Sequence, residues 1–244
     1  MDILYTLGDG SHWNDNELKY SLRSIARFAS GVGEVYLIGT HKPAFVGERV
    51  KFLKHSGNQG SSRNILAAIT AACEYFQLGD FLLCADDHFY VKPANFDRYP
   101  VYLKADELPD KLSSGIYGDA TYTRTLVNTR MLLDAAKLPH RNYAQHANTH
   151  FNGKRWLSLG PLLYLAQALE NGVEATCLYL NAFGSSYPEP VRRKDCKICH
   201  AKNAQDVAAQ IGERECFSIY DSAISEGVSD YLAAMFPDKC KYER

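Results

Sequence analysis

Two neighbouring aspartates, Asp86 and Asp87, follow the apolar run of residues 81–85 and precede His88. Adjacent carboxylates repel each other and cost stability unless a cation or hydrogen bonds compensate them. Carboxylate oxygens suit Mg²⁺ or Mn²⁺, and an added imidazole shifts the preference towards Mn²⁺. Because side chains alternate along an extended backbone, Asp86 and His88 would face one side and Asp87 the other. We therefore expect a divalent metal that bridges a diphosphate and stabilises charge on a departing phosphate. The alternative is an acidic turn in which Asp87 caps a backbone amide.

A second candidate site lies in the stretch Asn-Gln-Gly-Ser-Ser-Arg-Asn, which begins at Asn58 and contains Arg63. A glycine-containing loop that enters a helix offers free backbone amides, and an arginine in the first turn adds a fixed positive charge. Asn58 and Arg63 are therefore predicted to bind a phosphate or nucleotide, unless the stretch is a helix cap with a surface arginine. The patterns GxxxxGK[ST] and GxGxxG do not occur in the sequence, which argues against a P-loop ATPase and a dinucleotide-dependent dehydrogenase.

Histidines supply a third group, with His140, His146 and His150 in one polar stretch. His146 and His150 are four residues apart, so a helix would place them on one face. They could form a metal pair, a phosphate-binding pair or an acid–base group, or they could simply be exposed histidines. Asp119, which follows Gly-Ile-Tyr-Gly, is the alternative base for an acceptor hydroxyl; otherwise it is a turn residue.

The elements that would position these groups alternate between strands and helices in the N-terminal part of the chain. Strands are predicted at residues 2–7, 34–39, 50–54 and 81–85. One helix is predicted to begin at Asn14, three residues before Glu17 as in a capping box, and another at Ser61 or Ser62. This order is typical of a mainly parallel sheet covered by helices, in which ligands bind beyond the carboxyl ends of the strands. Polar loops are expected at those ends, at residues 8–10, 55–63 and 86–88.

The second half of the sequence is less regular. Helices are predicted at residues 129–138, 161–170, 204–211 and 225–236. A short strand is predicted at residues 177–180, and the polar residues 185–202 are expected to form a loop or lid.

Cysteine usage and composition narrow the class of protein. The motif Cys196-Lys-Ile-Cys199-His200 matches the attachment sequence of c-type haem. Haem is attached in this way outside the cytoplasm, and the N-terminal sequence has no export signal, so we do not expect a haem here. A zinc site of Cys196 and Cys199 with His200 or Cys216 is an alternative to unpaired loop thiols. The odd number of cysteines, 7, fits free thiols in a reducing cytoplasm.

A formal net charge of −1 gives no bulk attraction to nucleic acid or to an anionic membrane. Apolar residues make up 46% and charged residues 23%, which is ordinary for a globular chain. The apolar runs are far shorter than the roughly 18 residues of a membrane span. We expect a cytoplasmic protein with no membrane span and no nucleic-acid partner.

Three segments carry a resemblance to nucleotide-sugar transferases of the GT-A fold. They read DILYTLGDGS (residues 2–11), ELKYSLRSI (residues 17–25) and FLLCADDHF (residues 81–89). Within that group, the first two are similar to the opening of Stealth-type sugar-phosphate transferases. Residues 58–64 resemble the loop that precedes the D-x-D strand of ordinary GT-A glycosyltransferases. The resemblance covers residues 2–90, and small virus-encoded transferases of this fold have a comparable length.

The resemblance implies an α/β fold of GT-A type, a Rossmann-like, mainly parallel sheet flanked by helices with a smaller C-terminal acceptor lobe. It places nucleotide contacts at Thr6, Asp9, Arg63 and Asp86, and a metal, Mn²⁺ or Mg²⁺, on the D-x-D element. Here that element departs from the family pattern, because its third position is His88 rather than aspartate.

The function that the resemblance implies is glycosyl transfer from a nucleoside-diphosphate sugar, with UDP the first choice, to a hydroxyl acceptor such as a glycan. Residues 1–100 would bind the donor and residues 101–244 would form the acceptor side. One alternative is a Stealth-like sugar-1-phosphate transferase, in which His146 matches a histidine of that family. Another is a non-catalytic nucleotide- or sugar-binding module, which His88 motivates. A virus-encoded member would act in the host cytoplasm.

Overall fold

The chain has an α/β fold, and most of its strands and helices coincide with segments whose apolar residues recur with the period of that element. The computed structural model describes residues 1–57, 61–112, 120–144, 148–192, 196–220, 223–224 and 226–244. The strands are β1 Asp2–Leu7, β2 Ala29–Ser30, β3 Val35–Gly39, β4 Val50–Lys54, β5 Asp80–Cys84, β6 His88–Tyr90, β7 Ala94–Asn95, β8 Tyr102–Ala105, β9 Asn142–Tyr143, β10 Thr149–Asn152, β11 Val191–Arg192, β12 Lys197–Ile198 and β13 Cys216–Ile219. The helices are α1 Asn16–Phe28, α2 Ser61–Phe76, α3 Ala120–Ala135, α4 Gly153–Ser158, α5 Gly160–Ala168, α6 Ala175–Phe183, α7 Ala204–Ile211 and α8 Glu226–Met235. Within these ranges, no helix has the length and apolar character needed to cross a membrane.

The principal sheet has five strands in the order β10-β5-β1-β3-β4 and is mostly parallel. β1 pairs in parallel with β3, with Tyr5 opposite Leu37, and β3 pairs in parallel with β4, with Leu37 opposite Phe52. Every residue of β3 is buried, which is the pattern of a strand covered on both faces. The predicted α/β class and mainly parallel sheet are confirmed.

The helix after β1 is confirmed, but it begins differently from the prediction. Its buried face includes Leu18, Leu22 and Ile25. The capping box expected at Asn14 does not form, because the N-cap is Asp15 in left-handed backbone (φ 57°) without a side-chain cap. Glu17 instead accepts a hydrogen bond from the Ser11 hydroxyl at 2.9 Å. The loop after β1 therefore ties its own residues to the start of α1.

Several predictions for the second half are wrong. The strand predicted at residues 177–180 is part of helix α6, where the Glu174 side chain accepts a hydrogen bond from the Cys177 backbone N–H at 2.6 Å. A short apolar run does not distinguish a buried strand from a buried helix. The helix predicted at 161–170 is confirmed as α5, whereas the helix predicted at 129–138 begins earlier and ends earlier, as α3. The expected loop at 185–202 contains β11 and β12.

The chain divides into two compact units. Unit 1 comprises the described residues of Met1–Lys54, Leu82–Tyr99 and Lys194–Arg244. It contains β1, β3, β4 and most of β5, together with a small sheet in the order β12-β13-β6. Its C-terminus is held by the buried Glu243 carboxylate, which accepts hydrogen bonds from Arg23 Nε at 2.7 Å and Nη2 at 2.8 Å. N-terminal and C-terminal segments therefore share one unit. The assignment of residues 1–100 and 101–244 to donor and acceptor sides stays a prediction.

Unit 2 comprises the described residues of His55–Phe81 and Pro100–Arg193. Its core includes an aromatic cluster in which Phe151 and Tyr179 stack at 4.3 Å between ring centroids. Trp156 is fully buried beside them and donates its indole N–H to the Thr70 hydroxyl at 3.0 Å. This bond joins α4 to α2 and satisfies the polar atom of a buried indole.

Candidate functional site

The two aspartates predicted to bind metal lie in the turn between β5 and β6. Asp86 and Asp87 are half-buried there. Since the backbone turns at these residues, the alternation of side chains expected for a strand does not apply. His88 is the first residue of β6; its side chain is fully buried and packs against the Tyr90 ring at 5.4 Å between centroids.

The predicted three-residue ligand set of Asp86, Asp87 and His88 is not preformed. Among the described residues, no group of three or more His, Cys, Asp or Glu side chains is arranged to hold a metal ion. β6 joins the small sheet of unit 1, and this pairing draws the His88 side chain into the core. Two carboxylates remain at the turn as candidate ligands.

The loop after β1 brings two further carboxylates to the same unit, and the loop after β3 places His41 beside them. His41 Nε2 lies 2.8 Å from Asp15 Oδ2, and His41 Nδ1 lies 3.8 Å from Asp9 Oδ1. The Thr40 hydroxyl donates a hydrogen bond to Asp9. His41 thus links the two acidic residues of the β1 loop to the end of β3.

Negative charge accumulates around Asp86. Burial of its carboxyl group and, in decreasing order of size, the charges of Asp87, Glu17 and Asp15 together raise the pKa of Asp86 to about 7. Glu17 itself is 6% exposed. A bound cation would relieve the repulsion that these charges exert on the Asp86 carboxylate, so this part of unit 1 is suited to binding one.

One positive side chain already faces the acidic turn. Lys197 Nζ lies 3.8 Å from Asp87 Oδ2 and 4.2 Å from the centroid of the Tyr220 ring. The Lys197 side chain is 16% exposed, whereas Tyr220 is 46% exposed. The turn therefore combines acidic groups, a partly buried ammonium and an accessible aromatic ring.

The predicted nucleotide contacts are divided between the units. Thr6 is half-buried in β1, opposite Ile38, and Asp9 is exposed in the loop that follows. Arg63 belongs to unit 2, in the first turns of α2, and its carbonyl accepts a hydrogen bond from Gln167 Nε2 at 3.0 Å. Asn58 lies outside the described residues.

The predicted catalytic residues are only partly described, because Asp119 and His146 lie outside the described residues. His150 lies on strand β10, so the helical arrangement that would place it on one face with His146 does not apply to it. Its ring stacks on Tyr187 at 5.8 Å between centroids. Tyr187 shares a hydrogen bond of 2.8 Å with the hydroxyl of Tyr179.

Unit 2 contains a cavity of about 440 Å³ beside Tyr187, the ring on which His150 stacks. Tyr187 and Tyr143 line it, together with the ion pair of Arg141 and Glu189 at 3.1 Å. Aromatic rings with a few charged groups are typical linings of small-molecule cavities of roughly 300–1,000 Å³. The cavity is therefore a candidate binding site within unit 2.

The cysteine motif is not arranged as a metal site in the described part of the chain. Cys196 is buried and donates a weak hydrogen bond to the Gln210 carbonyl at 3.6 Å, whereas Cys199 is exposed. The zinc alternative therefore has no preformed ligand set.

Two residues of the candidate site, His41 and Lys197, were not predicted from the sequence. His41 could have been found, because it follows the carboxyl end of β3 by two residues, where ligand-binding side chains are expected. Lys197 gave no local signal, because it approaches Asp87 only through the pairing of β12 with β13.

No protein-family model matches this sequence, and no curated protein matches it. The functional conclusion therefore depends on the chemistry of the site and on the sequence resemblance.

Proposed function

We propose that this chain is a glycosyltransferase that moves a sugar from a nucleoside-diphosphate sugar to a hydroxyl acceptor. Among the possible donors, a UDP-sugar is the one we favour. The observation that carries this proposal is the position of Asp86 and Asp87. They form a turn directly after a sheet strand, with the Asp15 and Glu17 carboxylates near enough to raise the pKa of Asp86. Ligands of such sheets bind at this edge.

The residues at the turn fit a hard divalent ion. Mg²⁺ is commonly held by one or two carboxylates together with substrate phosphates, so two aspartates suffice without His88. When bound, Mn²⁺ or Mg²⁺ would supply charge stabilisation to the departing diphosphate. Asp86 and Asp87 would hold the ion through oxygen atoms, and the ion would relieve the repulsion between their carboxylates.

The remaining contacts to the donor come from the β1 loop. Gly8, Asp9 and Gly10 are exposed after the buried strand β1, so their backbone is accessible to a nucleotide. Asp9 and Thr6 are the proposed nucleotide contacts at this strand end. His41 orients Asp9 and Asp15 through its two ring nitrogens.

The reaction joins the acceptor oxygen to the anomeric carbon and breaks the bond from that carbon to the diphosphate oxygen. The hydroxyl proton goes to a base, for which Asp119, His146 and His150 are the candidates from the sequence. Of these, His150 is the described residue, half-buried and stacked on Tyr187. Its assignment as the base stays a proposal.

Ligand binding by the full chain tests the donor site. UDP, GDP, CDP and dTDP are each added with and without Mn²⁺, and the free energy of unfolding is measured. A bound ligand at 100 times its Kd stabilises the folded chain by about 2.7 kcal/mol. We expect this gain with UDP and Mn²⁺ together, its loss in Asp86→Ala, and its retention in Glu48→Gln, whose carboxylate is 94% exposed. Absence of stabilisation by all four nucleotides with metal would overturn the proposal.

A second candidate is transfer of sugar-1-phosphate. The observation in favour of this reaction is that both segments similar to Stealth-type enzymes, residues 2–11 and 17–25, supply acidic side chains to unit 1. These are Asp9, which lies near His41, and Glu17, whose charge raises the pKa of Asp86. Product analysis separates the reactions, since sugar transfer releases a nucleoside diphosphate and sugar-phosphate transfer releases a nucleoside monophosphate. Donor turnover by the pure chain that is lost in Asp86→Ala would exclude a non-catalytic binding module.

A further inference from the structure

Lys197 reaches the acidic turn because of the strand order in the small sheet of unit 1. β12 pairs in parallel with β13, which places Lys197 opposite Ser218. β13 pairs antiparallel with β6, which places Ser218 opposite His88. Two neighbouring strand pairings therefore carry Lys197 to the level of the turn that ends at His88, where its ammonium lies 3.8 Å from Asp87 Oδ2.

The surroundings of this ammonium differ from those of a surface lysine. The side chains of Lys197 and Asp87 are 16% and 24% exposed. In contrast, Lys92 and Glu213 form a surface pair at 2.9 Å with 40% and 102% exposure. An ion pair shielded from solvent is screened less and interacts more strongly than an exposed pair. The positive charge of Lys197 should therefore affect the affinity of any charged ligand that binds at Asp87.

An aromatic ring gives the ammonium a second favourable position. Lys197 Nζ lies 4.2 Å from the Tyr220 ring centroid, within the range of a cation–π interaction. The backbone N–H of Tyr220, the residue directly after β13, donates to the Ile198 carbonyl of β12 at 3.0 Å, which keeps the ring beside the strand that carries Lys197. The flexible four-carbon stem of lysine can move the charge away from Asp87 while the ring stays near.

We propose that Lys197 is a donor-binding residue with two positions. Without ligand, its ammonium balances the carboxylate of Asp87; when a divalent cation binds Asp87, the ammonium moves and pairs with a phosphate of the donor diphosphate. This inference rests on the proposed function. Its physical reason is charge repulsion, because an ammonium and a divalent ion cannot both stay close to one carboxylate without strong repulsion in a partly buried site.

The inference predicts changes of opposite direction in Lys197→Met. Removing the competing ammonium should tighten binding of Mn²⁺ alone by about fivefold. Removing a charged partner of the phosphate should weaken binding of UDP at saturating Mn²⁺ by about tenfold. A lysine that only supports the fold would change both affinities in the same direction or leave both unchanged.

Calorimetric titration of the full chain measures both affinities. Mn²⁺ is titrated without nucleotide, and UDP and inorganic pyrophosphate are then titrated at saturating Mn²⁺. Lys197→Arg keeps the positive charge but not the compact shape of the ammonium, so each of its affinities should lie between that of the unchanged chain and that of Lys197→Met. Lys92→Met removes a surface ammonium of the same unit and should bind all three ligands as the unchanged chain does.

The outcomes separate this inference from the proposed function. If the unchanged chain binds Mn²⁺ and UDP, and Lys197→Met binds both equally well or both more weakly, the role given to Lys197 is wrong and the proposed function stands. If the unchanged chain binds neither ligand, the proposed function fails, and the role of Lys197 fails with it. Tighter Mn²⁺ binding together with weaker binding of UDP and pyrophosphate supports the inference.

Discussion

Replacing Asp86 by asparagine should stabilise the protein at neutral and alkaline pH. Burial of the carboxyl group, together with the charges of Asp87 and Glu17, raises the pKa of Asp86 from 3.8 to about 7. At 1.36 kcal/mol for each pKa unit, this rise corresponds to about 4 kcal/mol of stability lost when the carboxyl group ionises in the folded chain. Asparagine is nearly the same size and remains neutral, so the variant avoids this loss.

The direction of the pH dependence follows from proton binding by Asp86. Between about pH 4 and pH 7, the folded chain retains a proton that the unfolded chain has released, so the free energy of unfolding falls as pH rises. Below about pH 4 the carboxyl group is protonated in both states, and the contribution vanishes. Above about pH 7 it is ionised in both states, and the full loss persists.

Urea unfolding of the unchanged chain and Asp86→Asn, followed by tryptophan fluorescence, measures this difference. We expect the variant to be more stable by about 1.5 kcal/mol near pH 5 and by about 4 kcal/mol near pH 8. Glu48→Gln is the control, because its carboxylate is 94% exposed and its replacement should change stability by less than about 0.5 kcal/mol. Equal stability of the two chains at every pH, or a less stable Asp86→Asn near pH 8, would refute the reasoning.

The same unfolding measurements, repeated with Mn²⁺, test whether the charge of Asp86 that destabilises the folded chain also binds the metal ion. Near pH 8, Mn²⁺ should stabilise the unchanged chain and have little effect on Asp86→Asn, because the amide cannot replace a carboxylate charge. Near pH 5, most Asp86 side chains are protonated, so the stabilisation by Mn²⁺ should be smaller. A stabilisation by Mn²⁺ that is equal in both chains would show that the ion binds elsewhere.

Two further predictions concern the fold. Glu243→Gln removes the charge that pairs with buried Arg23 and should lower the free energy of unfolding in urea by about 3 kcal/mol; a loss below about 0.5 kcal/mol would contradict a structural role for the pair. Gly172→Ala should cost about 1–2 kcal/mol in the same assay. Gly172 has φ +64°, and an added Cβ would lie 2.9 Å from Cγ of Arg63. Gly79→Ala is its control, since nothing lies within 4 Å of a Cβ there; equal losses in both variants would contradict the steric argument.

The local pattern of apolar residues was enough to predict four of the five strands of the principal sheet, which are β1, β3, β4 and β5. Residues 2–7 and 50–54 form β1 and β4 as predicted, and the predicted helix at 204–211 coincides with α7. In these segments, neighbouring residues carry the periodicity that burial selects. The position of the acidic turn also followed from the sequence, because Asp86 and Asp87 come after an apolar run that forms β5.

Tertiary pairing decided the features that the sequence analysis missed. His88 follows two aspartates and was predicted to share their role, but pairing of β6 with β13 buries it. His150 lies on β10, so its spacing from His146 does not have the helical meaning that the sequence analysis considered. In each case, the conformation depends on a partner segment far away in the chain, which local spacing does not contain.

The sequence by itself therefore determined strands β1, β3, β4 and β5 and the polar residues that follow them, because hydrophobic periodicity and turn chemistry are local properties. Only the tertiary structure decided which charges meet there. It brought Lys197 to Asp87 and His41 to Asp9 and Asp15. Those contacts depend on strand order and loop paths, and the pKa of Asp86 depends on burial, all of which exist only once distant segments have packed together.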